Sequence, residues 1–297
     1  MKWTEQEIPN LAGKIIVVTG ANSGIGYEAT KLFVARDAEV IMACRSLERG
    51  EKAFDQIKKE IPEAKLVLMP LDLSSFKSIH AFSSAFHKKY QRVDILLNNA
   101  GIMMTPFGLT VDGLEQQQGV NHFGHFLLTS LLFDLVKQST EARIVNISSI
   151  AHRMGKVNFN NLMYKDGKGY KTFTAYGRSK LENLLFTYEL ANRVESAGLP
   201  IKVLAAHPGV ASTNLGHHIY EKGIYKTFKY STGAFSQDAY HGCLPGVRAC
   251  TDPEAQNGTF YGPDKRFGTK GNPYVCSSTK RSKDKELMTT LWGGSPR

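Results

Sequence analysis

The chain has 297 residues, 42% of them hydrophobic and 22% charged. That is ordinary globular composition, and a chain of this length can bury a core without disulfides or metal. Lys and Arg number 37 against 27 Asp and Glu, a formal charge of +10, but the basic residues are scattered. A solvated basic surface is therefore expected rather than a nucleic-acid interface. Cys44, Cys243, Cys250 and Cys276 form no C-x-x-C pair, and no Cys/His spacing resembles a zinc site, so no metal is expected. No run of about 18 apolar residues occurs, and the opening MKWTEQEIPN has no apolar leader. The expectation is a cytoplasmic protein with reduced thiols and no transmembrane anchor, with room for peripheral membrane contact.

Short β-branched runs alternate with helical patterns along the chain. Residues 14–20 (KIIVVTG) are predicted as a buried strand and 26–38 as the helix after it. A second strand at 39–45 (EVIMACR) precedes a helix at 47–61 with i,i+4 charge pairs. Strands continue at 65–73, 93–101, 142–149 and 201–209, and a long helix runs through 181–196. Continuous apolar strands separated by helices indicate a parallel sheet covered on both faces. The expected fold is α/β, a Rossmann-type doubly wound parallel sheet of about seven strands with helices on both faces. It forms one domain: a dinucleotide-binding half at about 11–150, a catalytic and substrate half at about 151–264, and a C-terminal extension at 265–297. Residues 165–171 (KDGKGYK) read as a loop. Residues 211–236 fit neither period and follow a strand, which suggests a substrate lid above its carboxyl end.

The stretch VTGANSGIGYE lies between the first strand and the first helix, with Gly20, Gly24 and Gly26 spaced G-x-x-x-G-x-G. Glycines there permit a tight turn and let backbone N–H groups approach a pyrophosphate at a helix N-terminus. Asn22, Ser23 and Ile25 fall inside this loop. A site preferring NAD usually carries a carboxylate about 20 residues further on. Here the second strand ends Ala43-Cys44-Arg45-Ser46, with Arg45 at 19 residues after Gly26. A guanidinium fork suits a 2′-phosphate, so NADP(H) is expected over NAD(H); the alternative is a surface arginine. Tyr176 and Lys180 in YGRSK stand four apart, on one face of a helix.

With these residues in hand, the sequence resembles the short-chain dehydrogenase/reductase family, in its retinol dehydrogenase-like branch, over nearly its whole length. Thr19-Gly20 with Gly24 and Gly26 is similar to the family's glycine loop, and Asp72-Leu73 resembles the segment that meets adenine. Asn98-Asn99-Ala100-Gly101 resembles its N-N-A-G turn, Asn121 the helix asparagine, Ser149 the catalytic serine, and Tyr176/Lys180 the Y-x-x-x-K pair. Pro208-Gly209-Val210 with Thr213 is similar to the segment that receives the nicotinamide. The 27 residues from Ser149 to Tyr176 include an insertion similar to one in the retinol dehydrogenase-like branch.

The resemblance implies a catalytic set of Asn121, Ser149, Tyr176 and Lys180, with Tyr176 and Lys180 also touching the cofactor. A phenol titrates near pH 10, and a neighbouring ammonium lowers that value. Tyr176 would exchange the proton, Ser149 would hold the substrate oxygen, and Asn121 would bind a water linked to Lys180. The implied substrate is a hydrophobic alcohol or carbonyl compound, retinal-like or other, handled by a monomer or homodimer. Two rival readings share these residues: a protochlorophyllide reductase-like reduction of a C=C bond, and a non-catalytic NADP-binding regulator.

Overall fold

The computed structural model describes residues 3–211 and 236–295. One sheet organises it, in the order β3-β2-β1-β4-β5-β6-β7-β8. The strands are β1 Ile15–Thr19, β2 Glu39–Cys44, β3 Lys65–Pro70, β4 Ile95–Asn98, β5 Ala142–Ile147, β6 Ile201–Ala206, β7 Phe260–Lys265 and β8 Lys270–Val275. The pairings from β3 to β7 are parallel, and β8 returns antiparallel to β7. The sheet thus has one strand more than the seven expected. The eighth comes from the C-terminal stretch, whose sequence Lys-Gly-Asn-Pro-Tyr-Val carries Gly and Pro, residues tolerated on an edge strand but a poor signal for one.

The central strands bury both faces. Ile16 and Val18 of β1 join one core, and Val17 between them joins the other, as a period of two requires. The first core takes Phe33 from α1 (Gly24–Val34) and Leu244 and Val247 from α7 (Ala239–Thr251). The second takes Phe82 and Phe86 from α3 (Phe76–Lys89), Leu128 and Leu132 from α5 (Gly124–Val136), and Phe186 and Leu190 from α6 (Thr172–Ser196). Side chains cap several of these helices: Ser46 caps α2 (Leu47–Glu60), Ser75 caps α3, Asp238 caps α7, and Asp284 caps α8 (Lys285–Gly294). The approach to α5 is less regular: α4 (Gln116–Gln118) widens into a π-type turn over Gly119–Phe123 before α5 begins. Gly124 meets the Leu73 carbonyl so closely that a Cβ would collide with it.

The chain runs from β1 outward to β3, then crosses back to β4 on the other side of β1. The strand ends diverge at that reversal and leave a crevice at their carboxyl edge, where open α/β sheets bind ligands. The C-terminal helix closes the far side of the second core. The Trp292 ring centroid lies 5.0 Å from that of Phe126 and 6.1 Å from that of Phe186, with the Arg193 guanidinium 4.4 Å from its own. Trp292→Ala is expected to destabilise the fold by about 2–3 kcal/mol, since it removes a large, partly buried aromatic from a packed contact. Urea denaturation followed by circular dichroism checks this; an unchanged midpoint would mean that the terminal helix adds nothing to the core.

Candidate active site

The glycine loop is shaped by what a side chain would strike. A Cβ on Gly26 would run into the Gly20 carbonyl and the Asn99 amide. Gly20 and Gly24 take φ values of +67° and +55°, which glycine adopts without steric cost. Ser23, at the N-cap of α1, makes no side-chain cap. The helix therefore turns its first N–H groups and the positive end of its dipole toward the crevice without a competing side-chain acceptor.

Below the loop, Thr19 ties two strand ends together. Its hydroxyl oxygen accepts from the Asn99 and Ala100 N–H groups, each at 2.9 Å, and its carbonyl accepts from Asn99 Nδ2 at 2.8 Å. The Asn98-Asn99-Ala100-Gly101 turn is thereby held against β1. Asn98 is buried below it, its Nδ2 donating to Thr129 Oγ1 and Asn146 Oδ1. At the end of β3, Asp72 Oδ1 accepts from both the N–H and the hydroxyl of Ser74, at 2.9 and 2.6 Å, which fixes the carboxylate at the crevice wall.

A cleft of about 900 Å³ runs along this edge. It is lined by Gly20, Asn22, Ser23, Gly24, Ile25, Gly26, Arg45, Asp72, Leu73, Asn99, Ala100 and Gly101 at one end, and by Ser149, Tyr176, Lys180, Pro208, Gly209 and Val210 at the other. Every residue expected to hold the cofactor lines it except Thr213, which lies outside the described residues, as does all but the margins of the suggested lid at 211–236. Arg49 also lines the cleft beside Arg45, and its N–H donates to Ser46, the cap of α2. The sequence offered a signal for this second guanidinium, a basic residue in the first turn of the helix after Arg45. It fell inside a stretch read only for charge pairing.

The reactive cluster is buried. Ser149 is 8% exposed, Tyr176 6% and Lys180 3%. Lys180 Nζ donates to the Ile147 carbonyl at 3.0 Å and lies 5.7 Å from the Tyr176 ring centroid. Ser148 donates to the Lys180 carbonyl at 2.7 Å and Asn183 to Ile147 at 3.0 Å, which fastens α6 to the end of β5. Burial pushes the Tyr176 phenol up to about 12, against a hydrogen bond with Ser149 that pulls it down. Burial also pushes the Lys180 ammonium down to about 8. From the protein's own groups, burial outweighs the lowering expected of Lys180 on the phenol.

Asn121 does not line the cleft. It is fully buried behind Gly101, where an added Cβ would come within 3.2 Å of its Oδ1 and 3.5 Å of Lys180 Nζ. Its Oδ1 accepts from the Ile102 N–H at 2.8 Å, and its Nδ2 donates to the Ile102 carbonyl and to Ser179 Oγ, each at 2.9 Å. The carboxamide is thus a brace between two chain segments. Protein partners thus occupy the side chain expected to bind a water.

Arg178, inside YGRSK, faces away from the cleft. It donates to the Lys156, Asn161 and Leu162 carbonyls at 2.9, 3.3 and 2.9 Å, and its guanidinium stacks 4.2 Å from the Tyr164 ring centroid. Gln118 reaches the same Leu162 carbonyl at 2.7 Å, and Gln117 reaches the Tyr170 hydroxyl at 2.8 Å. These buried donors tie the insertion after Ser149 to α6 and α4. Met103, Met104, Val120, Met154 and Phe173 make the reacting end of the cleft apolar. Among the described residues, no group of three or more His, Cys, Asp or Glu could hold a metal ion, and no helix is long and apolar enough to cross a membrane.

A parallel sheet with a glycine-shaped helix N-terminus at its switch point, beside a buried Ser–Tyr–Lys cluster, defines an oxidoreductase that binds a nicotinamide dinucleotide. The short chain dehydrogenase family model matches residues 14–223. Retinol dehydrogenase 12 of Mus musculus is 39% identical over 296 residues, covering 98% of this chain and 87% of that protein. Retinol dehydrogenase 14 of Homo sapiens is 38% identical over 269 residues, covering 85% and 79%. The crystal structure of an uncharacterized protein from Mycobacterium Paratuberculosis superposes with a TM-score of 0.81 at 34% identity, over 99% of this chain and 96% of that one. The chain belongs to the short-chain dehydrogenase/reductase family, in its retinol dehydrogenase-like branch.

The cradle is only as wide as its glycines allow. Gly26→Ala is expected to weaken NADPH binding at least about a hundredfold, because the new methyl group must displace backbone at the Gly20 carbonyl. Quenching of protein fluorescence by NADPH measures this; binding within threefold of the native protein would show that the loop is not the pyrophosphate site.

Proposed function

We propose that the chain is an NADP(H)-dependent oxidoreductase that interconverts a hydrophobic alcohol and its aldehyde or ketone, with Tyr176 as the proton donor and acceptor. One observation carries the reading: Ser149, Tyr176 and Lys180 are buried together at the apolar end of the same cleft whose other end holds the glycine loop and two arginines. The residues fit the group they would hold: a Cβ on Gly26 would strike the Gly20 carbonyl, and Gly20 and Gly24 take left-handed φ values, the bare, tightly turned loop that suits a pyrophosphate. When bound, the nicotinamide supplies or accepts the hydride and adds positive charge beside the phenol in its oxidised form.

In reduction, the Ser149 hydroxyl holds the carbonyl oxygen and stabilises charge as it develops. Tyr176 donates its proton to that oxygen, and in oxidation it takes the proton back. Lys180 favours the phenolate by its charge and holds the nicotinamide ribose. Arg45, with Arg49 beside it, receives the 2′-phosphate, a pairing in which a planar guanidinium outperforms an ammonium. Met103, Met104, Val120 and Phe173 suit an apolar substrate body. A cytoplasmic site of action is part of the proposal, supported by four cysteines that stand as free thiols.

The test is a panel of aldehydes and ketones with NADPH, followed by variants on any substrate that turns over. Tyr176→Phe is expected to lower kcat about 10²- to 10⁴-fold while NADPH still binds. Undiminished turnover would remove Tyr176 from the chemistry. Arg45→Asp is expected to reduce the NADP/NAD preference by about tenfold to a hundredfold, the worth of one charge-assisted pair. Unchanged discrimination would mean that the arginine is a surface residue.

Lys180 sets a pH limit of its own. Its ammonium, pushed down to about 8, is present below that pH and lost above it. The rate of carbonyl reduction should therefore hold near neutrality and fall as pH rises through about 8. A flat profile from pH 6 to 10 would show that the charge on Lys180 does not assist the proton transfer.

A further inference from the structure

The first residue of α5 after its opening glycine is a histidine. His125 is 2% exposed and does not line the cleft, yet both of its ring nitrogens are engaged. Nδ1 lies 3.0 Å from the Asn121 carbonyl and Nε2 lies 2.9 Å from Thr19 Oγ1. Burial pushes its basicity down to about 4, so the ring is neutral at physiological pH and carries a single proton.

The partners decide where that proton sits. A carbonyl oxygen can only accept, so the bond to Asn121 requires Nδ1–H. Nε2 is then the lone pair, and the bond to Thr19 requires the threonine hydroxyl to donate. That assignment completes the hydroxyl as well: its one proton goes to His125, and its two lone pairs take the Asn99 and Ala100 N–H groups, each at 2.9 Å. The alternative acceptor for the proton, the Leu97 carbonyl at 3.4 Å, is the longer contact. No other arrangement of hydrogens satisfies both ring nitrogens, the hydroxyl and the Asn121 carbonyl.

We infer that His125 is a positioning residue that locks the cofactor-side turn to the catalytic helix. The inference rests on the proposed function above for the importance of Tyr176. On one side of the ring stand Thr19 and, through it, the Asn99-Ala100 turn that walls the dinucleotide end of the cleft. On the other stands Asn121, whose carboxamide grips both backbone polar groups of Ile102 and donates to Ser179 Oγ, which donates in turn to the Tyr176 carbonyl at 2.8 Å. One buried, neutral hydrogen-bond chain thus connects the end of β1 to the helix that carries Tyr176 and Lys180. The Thr19–His125–Asn121 links need each proton in the stated place, and the Asn121 residue itself carries the connection on to Ser179. Removing one member leaves buried groups unpaired on both sides, and such networks lose more than a single pair when cut.

Three measurements test this. First, the 15N shifts assigned to His125 in the native protein should show the neutral Nδ1–H form at pH 7; assignment of His125 as the Nε2–H form or as imidazolium overturns the lock. Second, Thr19→Val and His125→Phe should each lower kcat about ten- to a hundredfold with the substrate KM within about twofold, because neither touches the substrate. Unchanged kcat in Thr19→Val, which preserves shape and removes only the hydroxyl, overturns it. Third, the double variant should be no worse than about threefold below the poorer single, since both cut the same chain; losses that multiply overturn it. Should His125→Phe fail to fold, the tautomer and Thr19→Val still decide. Should native protein turn over no substrate, the proposed function fails separately. The same non-additivity is then read in the NADPH dissociation constant, which the lock also governs.

Discussion

Everything at the working edge of this protein depends on how the ends of β1 and β4 are held together where the sheet reverses its winding. Parallel strands there have no partner for the polar groups that emerge from their carboxyl ends, and a crevice lined by unpaired N–H and C=O groups would not persist in a buried setting. The Thr19 hydroxyl and the Asn99 carboxamide take up those groups from both strands. Because they do, the crevice stays open at a fixed width, and the glycines of the loop above it can approach a ligand closely.

The same economy governs the reacting end. Lys180 is nearly enclosed, and its charge survives there because the Ile147 carbonyl accepts from it while Ser148 and Asn183 hold that strand end to the helix. A buried ammonium with weak support is easily neutralised, and burial already draws Lys180 down to about 8. Tyr176, by contrast, is pushed the other way. Burial therefore drives the two groups apart in basicity, the phenol up and the ammonium down. Specific side chains place the site, and exclusion of water sets its chemistry.

The apolar end of the cleft is framed by separate contacts. The insertion after Ser149 is strapped to α6 by Arg178 and to α4 by Gln117 and Gln118, through carbonyls and one tyrosine hydroxyl. These contacts lie outside the cleft. They brace the insertion that brings Met154 to the apolar end of the cleft, and they do so apart from Ser149, Tyr176 and Lys180.

Much of this was legible in the residues. Apolar runs of strand length, each followed by a helical pattern, announce a parallel α/β sheet because both faces must be covered. Glycines at 20, 24 and 26 announce a phosphate loop because only they leave room, and the Tyr176–Lys180 spacing places both side chains on one helical face. Other features were decided by the fold alone. The edge strand at 270–275 forms because β7 needs a partner, against its own Gly and Pro. Arg49 joins Arg45 through the turn that Ser46 caps. Asn121 sits behind Gly101 instead of in the cleft, and Arg178 turns away from the chemistry although it stands between Tyr176 and Lys180. The pairing of His125 with Thr19, 106 residues earlier in the chain, is the clearest instance. Local sequence sets period and reach, but which buried donor meets which acceptor is settled only when distant segments share one dry interior.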